Sequence, residues 1–337
     1  MTAREGDLIE TFAGSIFDVK GLIHPPNSII AFIRYFPTEE GERERNGTVY
    51  GKVYSLSERY QSLKKRFPQY LVYDLVFDET LCEVPVCDVK KLYKPIEKLQ
   101  ELRATRDLDS LEYKAVQFAE LLTEEASVPW KSIGISGSIL VGLHRTSSDV
   151  DPIVYGSQNC RKVHSALERM FKSEHMCVRP YAKEDLISLF DFRSKDSSAD
   201  LESFVRTESR KVMQGKFLGT DYFVRFVKSW KEIDECYGDI QYQNVGAAEV
   251  RATVADDSDS IFTPCTYKVE GARVLNGPQV GHIERIVSFR GRFCEQAKVG
   301  EEVIARGKLE RVINKRGGLE YFRLLLGNKP SDFLILA

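Results

Sequence analysis

Ile133-Gly134-Ile135-Ser136-Gly137-Ser138, ten intervening residues, then Asp149-Val150-Asp151: the reading of this stretch decides which fold and which chemistry to expect of the chain. Ile133 to Ser136 is a short buried-strand run ending in a Gly-Ser turn. Ile139 to Leu143 has the pattern to start a helix, and Ser148 to Tyr155 reads as the next strand. Gly137 has no side chain, so backbone there can approach a ligand closely. Amides of such a turn and of a helix N-terminus form an anion site suited to a triphosphate, to which Ser138 adds a hydroxyl donor. Side chains alternate along a strand, so Asp149 and Asp151 are expected on one side. Two carboxylates that close repel each other unless a cation lies between them. Mg²⁺ takes oxygen ligands and keeps phosphate in its shell, so it is the cation expected, with Mn²⁺ as a substitute. A pair of such ions about 3.5–4 Å apart stabilises the attacking and leaving oxygens of an in-line phosphoryl displacement.

Outward from this stretch, Gln158 to Lys172 is an amphipathic helix with Val163, Leu167, Met170 and Phe171 inward. Upstream, 91–125 reads as two helices, the second opening at the capping oxygens of Asp107, Asp109 and Ser110. Downstream, helices are expected at 183–190 and 198–213, and Asp221 to Val227 reads as a strand. Residues 1–95 are strand-rich, with runs at Leu8-Thr11, Ile29-Tyr35, Thr48-Val53, Tyr70-Phe77 and Leu81-Val86, and a helix over Leu56-Phe67. From Gly238 onward strand-like runs separated by Gly and Asn turns suggest a small β-barrel or sandwich. The expected class is α+β, in three domains: 1–95, 96–237 and 238–337.

Composition sets outer limits. The chain has 337 residues, 42% of them apolar and 29% charged, which is ample for packed cores and excludes disorder as a whole-chain property. The net charge of -2 gives no global signal for nucleic acid, but Val205 to Lys231 carries seven Lys/Arg against two acids and Arg285 to Arg323 ten against five. Seven cysteines without a C-x-x-C pair argue against a zinc ribbon or a disulfide framework. Met1 to Asp7 lacks the apolar run of a signal peptide and no run is long enough to span a bilayer, so a cytoplasmic protein without a membrane partner is expected.

A Gly-Ser, a gap of about ten residues and an Asp-x-Asp flanked by apolar residues closely resembles the signature of the DNA polymerase beta-like nucleotidyltransferase superfamily. The string GISGSILVGLHRTSSDVDPIVYG is also similar to a group of archaeal nucleotidyltransferase-domain proteins without an assigned function. The resemblance is strong over 131–156 and extends over a palm-like region of about 105–232. It implies a mixed sheet with helices on one face, and a third carboxylate on a later strand. Asp221, which opens Asp221-Tyr222-Phe223-Val224-Arg225, is the candidate for that third metal ligand and for a general base. The superfamily usually places an aliphatic residue after the second acid, and here Pro152 stands there, which removes a ladder amide.

The activity implied is Mg²⁺-dependent transfer of a nucleoside monophosphate from an NTP to an acceptor hydroxyl, with release of pyrophosphate. Asp149, Asp151 and Asp221 would be the catalytic and metal-binding acids, and Gly137, Ser138, Arg206 and Arg210 would hold the triphosphate. His144 and Arg145 are lesser phosphate candidates. Tyr321 and Phe322 beside Arg323 would stack on bases if the C-terminal region binds nucleic acid. The acceptor class is open among nucleic acid, a partner protein and a small molecule. The rival reading is a catalytically degenerate palm that serves as an RNA- or DNA-binding module.

Overall fold

The computed structural model describes residues 1–173, 177–194 and 200–337, and the fold is α+β with four sheets. The first sheet holds β1 (Leu8–Thr11), β2 (Ile16–Val19), β3 (Ser28–Pro37), β4 (Arg43–Arg45), β5 (Thr48–Lys52), β6 (Leu71–Asp74), β7 (Glu79–Pro85) and β8 (Val89–Tyr93). Helix α1 (Leu56–Arg66) starts at a Ser55–Glu58 capping box and interrupts the strands. Its core gathers Phe17, Ile33 and Val84. The last of these strands corrects an expectation. Val89 to Tyr93 overlaps the start of the region read as helical, yet it pairs antiparallel with β1, so long-range pairing overrides local pattern.

Helix α2 (Pro95–Ala104) starts on a proline, and α3 (Ser110–Ala126) starts at Asp109, whose carboxylate accepts from the Leu111 and Glu112 amides. Leu111, Ala115, Phe118 and Leu122 recur at helical spacing and are buried. Then come β9 (Ile133–Ile135), the single turn α4 (Gly137–Leu140) and β10 (Pro152–Tyr155). The helix expected over 139–143 is thus only this one turn, placed earlier. Pro152 is the first residue of β10, a position where a missing amide costs the ladder nothing.

Helix α5 (Ser157–Lys172) buries Cys160, Val163, Leu167 and Met170. It is followed by β11 (Val178–Arg179), α6 (Lys183–Arg193), α7 (Leu201–Glu208), β12 (Gln214–Phe217), β13 (Thr220–Phe223) and β14 (Arg225–Val227). The helix expected at 198–213 begins outside the described residues, and beyond Glu208 the chain turns into β12. Strand β10 pairs antiparallel with β9 and parallel with β14, so this sheet is mixed. The run read as one strand over 221–227 is two, divided at Val224.

The C-terminal strands are β15 (Ile240–Asp259), β16 (Cys265–Asn276), β17 (Ile283–Ser288), β18 (Glu302–Asn314), β19 (Leu319–Leu326) and β20 (Phe333–Leu336). Their order is β15-β16-β17-β19-β18, and β15 also pairs with β18, which closes a five-stranded barrel with β20 added beside β18. All pairs in this ring are antiparallel except β17 with β19. One apolar core continues from the central helices into the barrel, from Leu99 to Leu334. Among the described residues no helix is long and apolar enough to cross a membrane.

Candidate active site

The two acids of the Asp149-Val150-Asp151 run lie just before β10, and a bridge to β13 fixes their direction. Val150 is bridged in parallel to Tyr222; its amide donates to the Asp221 carbonyl (2.9 Å) and its carbonyl accepts from the Phe223 amide (3.1 Å). Val150 and Tyr222 are both buried in the core. Alternation therefore turns their neighbours Asp149, Asp151 and Asp221 to the opposite, common face.

Asp151 lies against the glycine bend. The Ser136 amide donates to the Asp151 carbonyl at 2.9 Å, and Gly137 has φ +64°. A Cβ on Gly137 would stand 1.9 Å from Asp151 Oδ2. Only glycine fits there, on both backbone and steric grounds. Ser138 is buried, and among the described residues its Oγ has no hydrogen-bond partner. A buried hydroxyl in that state costs free energy unless a ligand supplies a partner.

The electrostatics suit a divalent cation. Burial, and then the charge of Asp149, push the Asp151 carboxyl up to about 7, against the opposing pull of Arg225, Lys52 and Arg34. Asp221 is half exposed and pairs with Lys216 at 2.9 Å. Burial raises the Tyr181 hydroxyl, and Asp221 and then Asp149 add to the effect, so both acids act on the same phenol. The three carboxylates face one way and are linked by these shared electrostatic effects, and their oxygens are of the donor type that suits a hard divalent ion. They do not bring three ligand atoms within 4.8 Å of one another as Asp109, Glu112 and His144 do.

Sequence reasoning missed the cations of this site. Lys52 on β5 is pushed down to about 8 by burial and then by Arg34 and Arg43, while Asp149 and Asp151 oppose the shift. Arg43 on β4 donates to the Leu143 carbonyl and approaches Ser148 Oγ (3.5 Å), bracing the loop that carries the acids. Strands some hundred residues upstream supply these groups, and no local motif announces them.

Other candidates lie elsewhere. Arg210 does not turn to the acids: its guanidinium pairs with Glu301 and donates to the Gln296 carbonyl (3.3 Å), an anchor to the barrel. Arg206 sits exposed on α7, which packs on α6 and β20. His144 bonds Asp109 Oδ2 (2.6 Å) and Arg145 pairs with Glu42 (2.8 Å). Asp109, Glu112 and His144 place ligand atoms within 4.8 Å of one another, but both carboxylates already cap α3.

No family model matches the chain, and no solved structure matches it. It is 34% identical over 342 residues to the uncharacterized protein MJ1086 of Methanocaldococcus jannaschii, an alignment covering 99% of this chain and 98% of that protein. A match of that extent embraces the N-terminal sheet, the acid cluster and the barrel alike, and the chain belongs to the same family as the Methanocaldococcus jannaschii protein.

Proposed function

We propose that the protein is a Mg²⁺-dependent nucleotidyltransferase with a polymerase beta-like palm at its centre. The observation that carries this reading is the common face of Asp149, Asp151 and Asp221, with Asp151 held against Gly137 and the Ser138 hydroxyl, which has no partner among the described residues, beside it. Asp149, Asp151 and Asp221 would hold the cations. When bound, a divalent ion neutralises charge on the attacking and leaving oxygens. The Ser138 hydroxyl would donate to a phosphate oxygen, and Lys52 and Arg34 would face the negative charge of the triphosphate. An acceptor hydroxyl oxygen attacks the α-phosphorus, the bond to the β-phosphate oxygen breaks, and pyrophosphate leaves with the electron pair. Asp221 is the carboxylate suited to take the hydroxyl proton. A catalytically silent palm is the second reading, and the Lys216–Asp221 ion pair favours it, because it already satisfies the third acid.

The test is NTP binding with and without Mg²⁺, combined with transfer of label from each α-labelled NTP to total RNA or protein. Wild type is expected to bind and to transfer with Mg²⁺ or Mn²⁺. Asp149→Asn and Asp151→Asn are expected to lose both by about 100-fold or more, as removal of a metal-bearing carboxylate requires. Binding that ignores both the metal and these substitutions would defeat the reading.

A further inference from the structure

A cavity of about 950 Å³ lies between the N-terminal sheet, the central region and the barrel. Arg34 and Arg225 line it and also act on Asp151, which itself lies outside the lining. At that volume it is at the upper end for a small-molecule site.

The barrel wall of this cavity has a definite chemistry. Lys268 on β16 stands opposite Arg285 on β17, and Arg285 opposite Arg323 on β19. Opposed residues project to one face, and all three line the cavity, so a row of cations crosses three adjacent strands. Aromatic rings stand beside the row. The Arg285 guanidinium lies 4.9 Å from the Tyr321 ring centre, and the Arg323 guanidinium 3.8 Å from that of Tyr242. Phe77, from the N-terminal hairpin, stacks on Tyr242 with centroids 5.4 Å apart and planes 7° apart. The acids of the barrel strands that line the cavity are paired, Asp256 with Lys268, Asp259 with Lys228 and Arg161, and Glu310 with Arg323 and Lys308. Lys268 and Arg323 would therefore meet a ligand already paired, and Arg285 would not. Glu235, just before β15, also lines the cavity and acts on the Tyr242 and Tyr321 hydroxyls. Among the described residues no carboxylate pairs with Arg285, and its buried Nε has no hydrogen-bond partner.

The barrel itself points the same way. Its order β15-β16-β17-β19-β18, closed by β15 with β18 and with one parallel pair, is the strand order of oligonucleotide- and oligosaccharide-binding barrels. Such barrels bind through the face of their second and third strands and the loops between the first and second and between the fourth and fifth. Here those are β16, β17 and residues 260–264 and 315–318; Lys268, Arg285 and Phe262 of the first three line the cavity, and 315–318 do not. Fold alone would not assign a ligand. The cation row favours a phosphodiester chain over a neutral saccharide, and Tyr321, whose ring is not stacked on another aromatic among the described residues as Tyr242 is on Phe77, suits an unpaired base.

We propose that this barrel face holds a single-stranded nucleic acid whose terminal hydroxyl is the acceptor presented to Asp149 and Asp151. The proposal rests on the nucleotidyl-transfer reading above.

The experiment uses the full chain and fluorescently labelled single-stranded RNA and DNA of about 12 nucleotides, within the footprint of one such barrel, in EDTA without NTP. Salt-dependent binding by fluorescence anisotropy is expected, with a matched duplex weaker; the RNA and DNA arms identify the sugar. Lys268→Gln with Arg285→Gln is expected to reduce the slope of log affinity against log salt by about 1.4, at roughly 0.7 per lost phosphate contact. Tyr321→Ala is expected to weaken binding about 5- to 150-fold, the range for one stacked base, while Tyr321→Phe, which keeps the ring, retains it. Thermal unfolding of each variant checks that it is folded. Absence of salt-dependent binding, or face variants that bind like wild type, overturns the barrel assignment. So does label transfer to a protein with no oligonucleotide bound, and that result leaves nucleotidyl transfer standing. Oligonucleotide binding with no NTP binding and no transfer overturns the acceptor role through the transfer reading instead.

Discussion

Gly137 shows how much one position can decide. Its φ of +64° disfavours any L side chain, and its missing Cβ is the space that Asp151 Oδ2 occupies. Gly137→Ala therefore combines a left-handed backbone penalty of about 1–2 kcal/mol with displacement of a carboxylate. The expected outcome is a folded protein, slightly destabilised in denaturant unfolding, whose Mg²⁺-dependent NTP binding falls by about 100-fold or more. Calorimetric titration with NTP and Mg²⁺ checks this, and an alanine variant that binds like wild type removes the bend from the site. The bend and the acids were legible because they are local: a strand run, a glycine and two alternating carboxylates lie within nineteen residues. Arg210 was not, since Glu301, the partner that holds its side chain, lies 91 residues away and leaves no trace in the local sequence.

At the scale of elements, the readable parts are those whose own surface decides their burial. Helices α3 and α5 follow the 3.6-residue period and bury the residues the period selects. Short strands such as Val178–Arg179 and Gln214–Phe217 carry too few residues to alternate, and pairing with their neighbours defines them. The long β15 was legible in pieces because it changes partners along its length, pairing with β18 alone over 240–248, with both β18 and β16 over 249–253, and with β16 alone over 254–259. The start of α3 makes a further prediction. Asp109 accepts from two helix amides and also holds His144, at the end of the short segment that follows α4. Asp109→Ala is expected to lower stability by about 1 kcal/mol, the usual worth of such a cap, while Asp109→Asn keeps most of it. Denaturant unfolding read by circular dichroism measures the difference; an unchanged midpoint would mean the cap is redundant with the packing of α3.

Taken whole, the molecule builds its site from sequence-distant parts. The central region supplies the acids, and the N-terminal sheet supplies Lys52, Arg34 and Arg43 across from them. Lys52 is costly to keep there: burial and two arginines push its ammonium down to about 8, against the support of the two aspartates and of the Tyr54 ring, 4.8 Å from its Nζ. A triphosphate would add negative charge beside it and favour the protonated form. Its removal should therefore weaken nucleotide binding without unfolding the apo protein, because it is no part of the buried apolar core. Lys52→Ala is expected to reduce NTP affinity by about 10- to 100-fold, the worth of one charge-assisted hydrogen bond, with a smaller loss for the monophosphate. Lys52→Arg is expected to recover part of the loss, since charge returns but shape does not. Equal loss for monophosphate and triphosphate would assign Lys52 to the sugar or base instead. No loss at all would separate the N-terminal sheet from the chemistry and leave it a support for the loop that Arg43 braces.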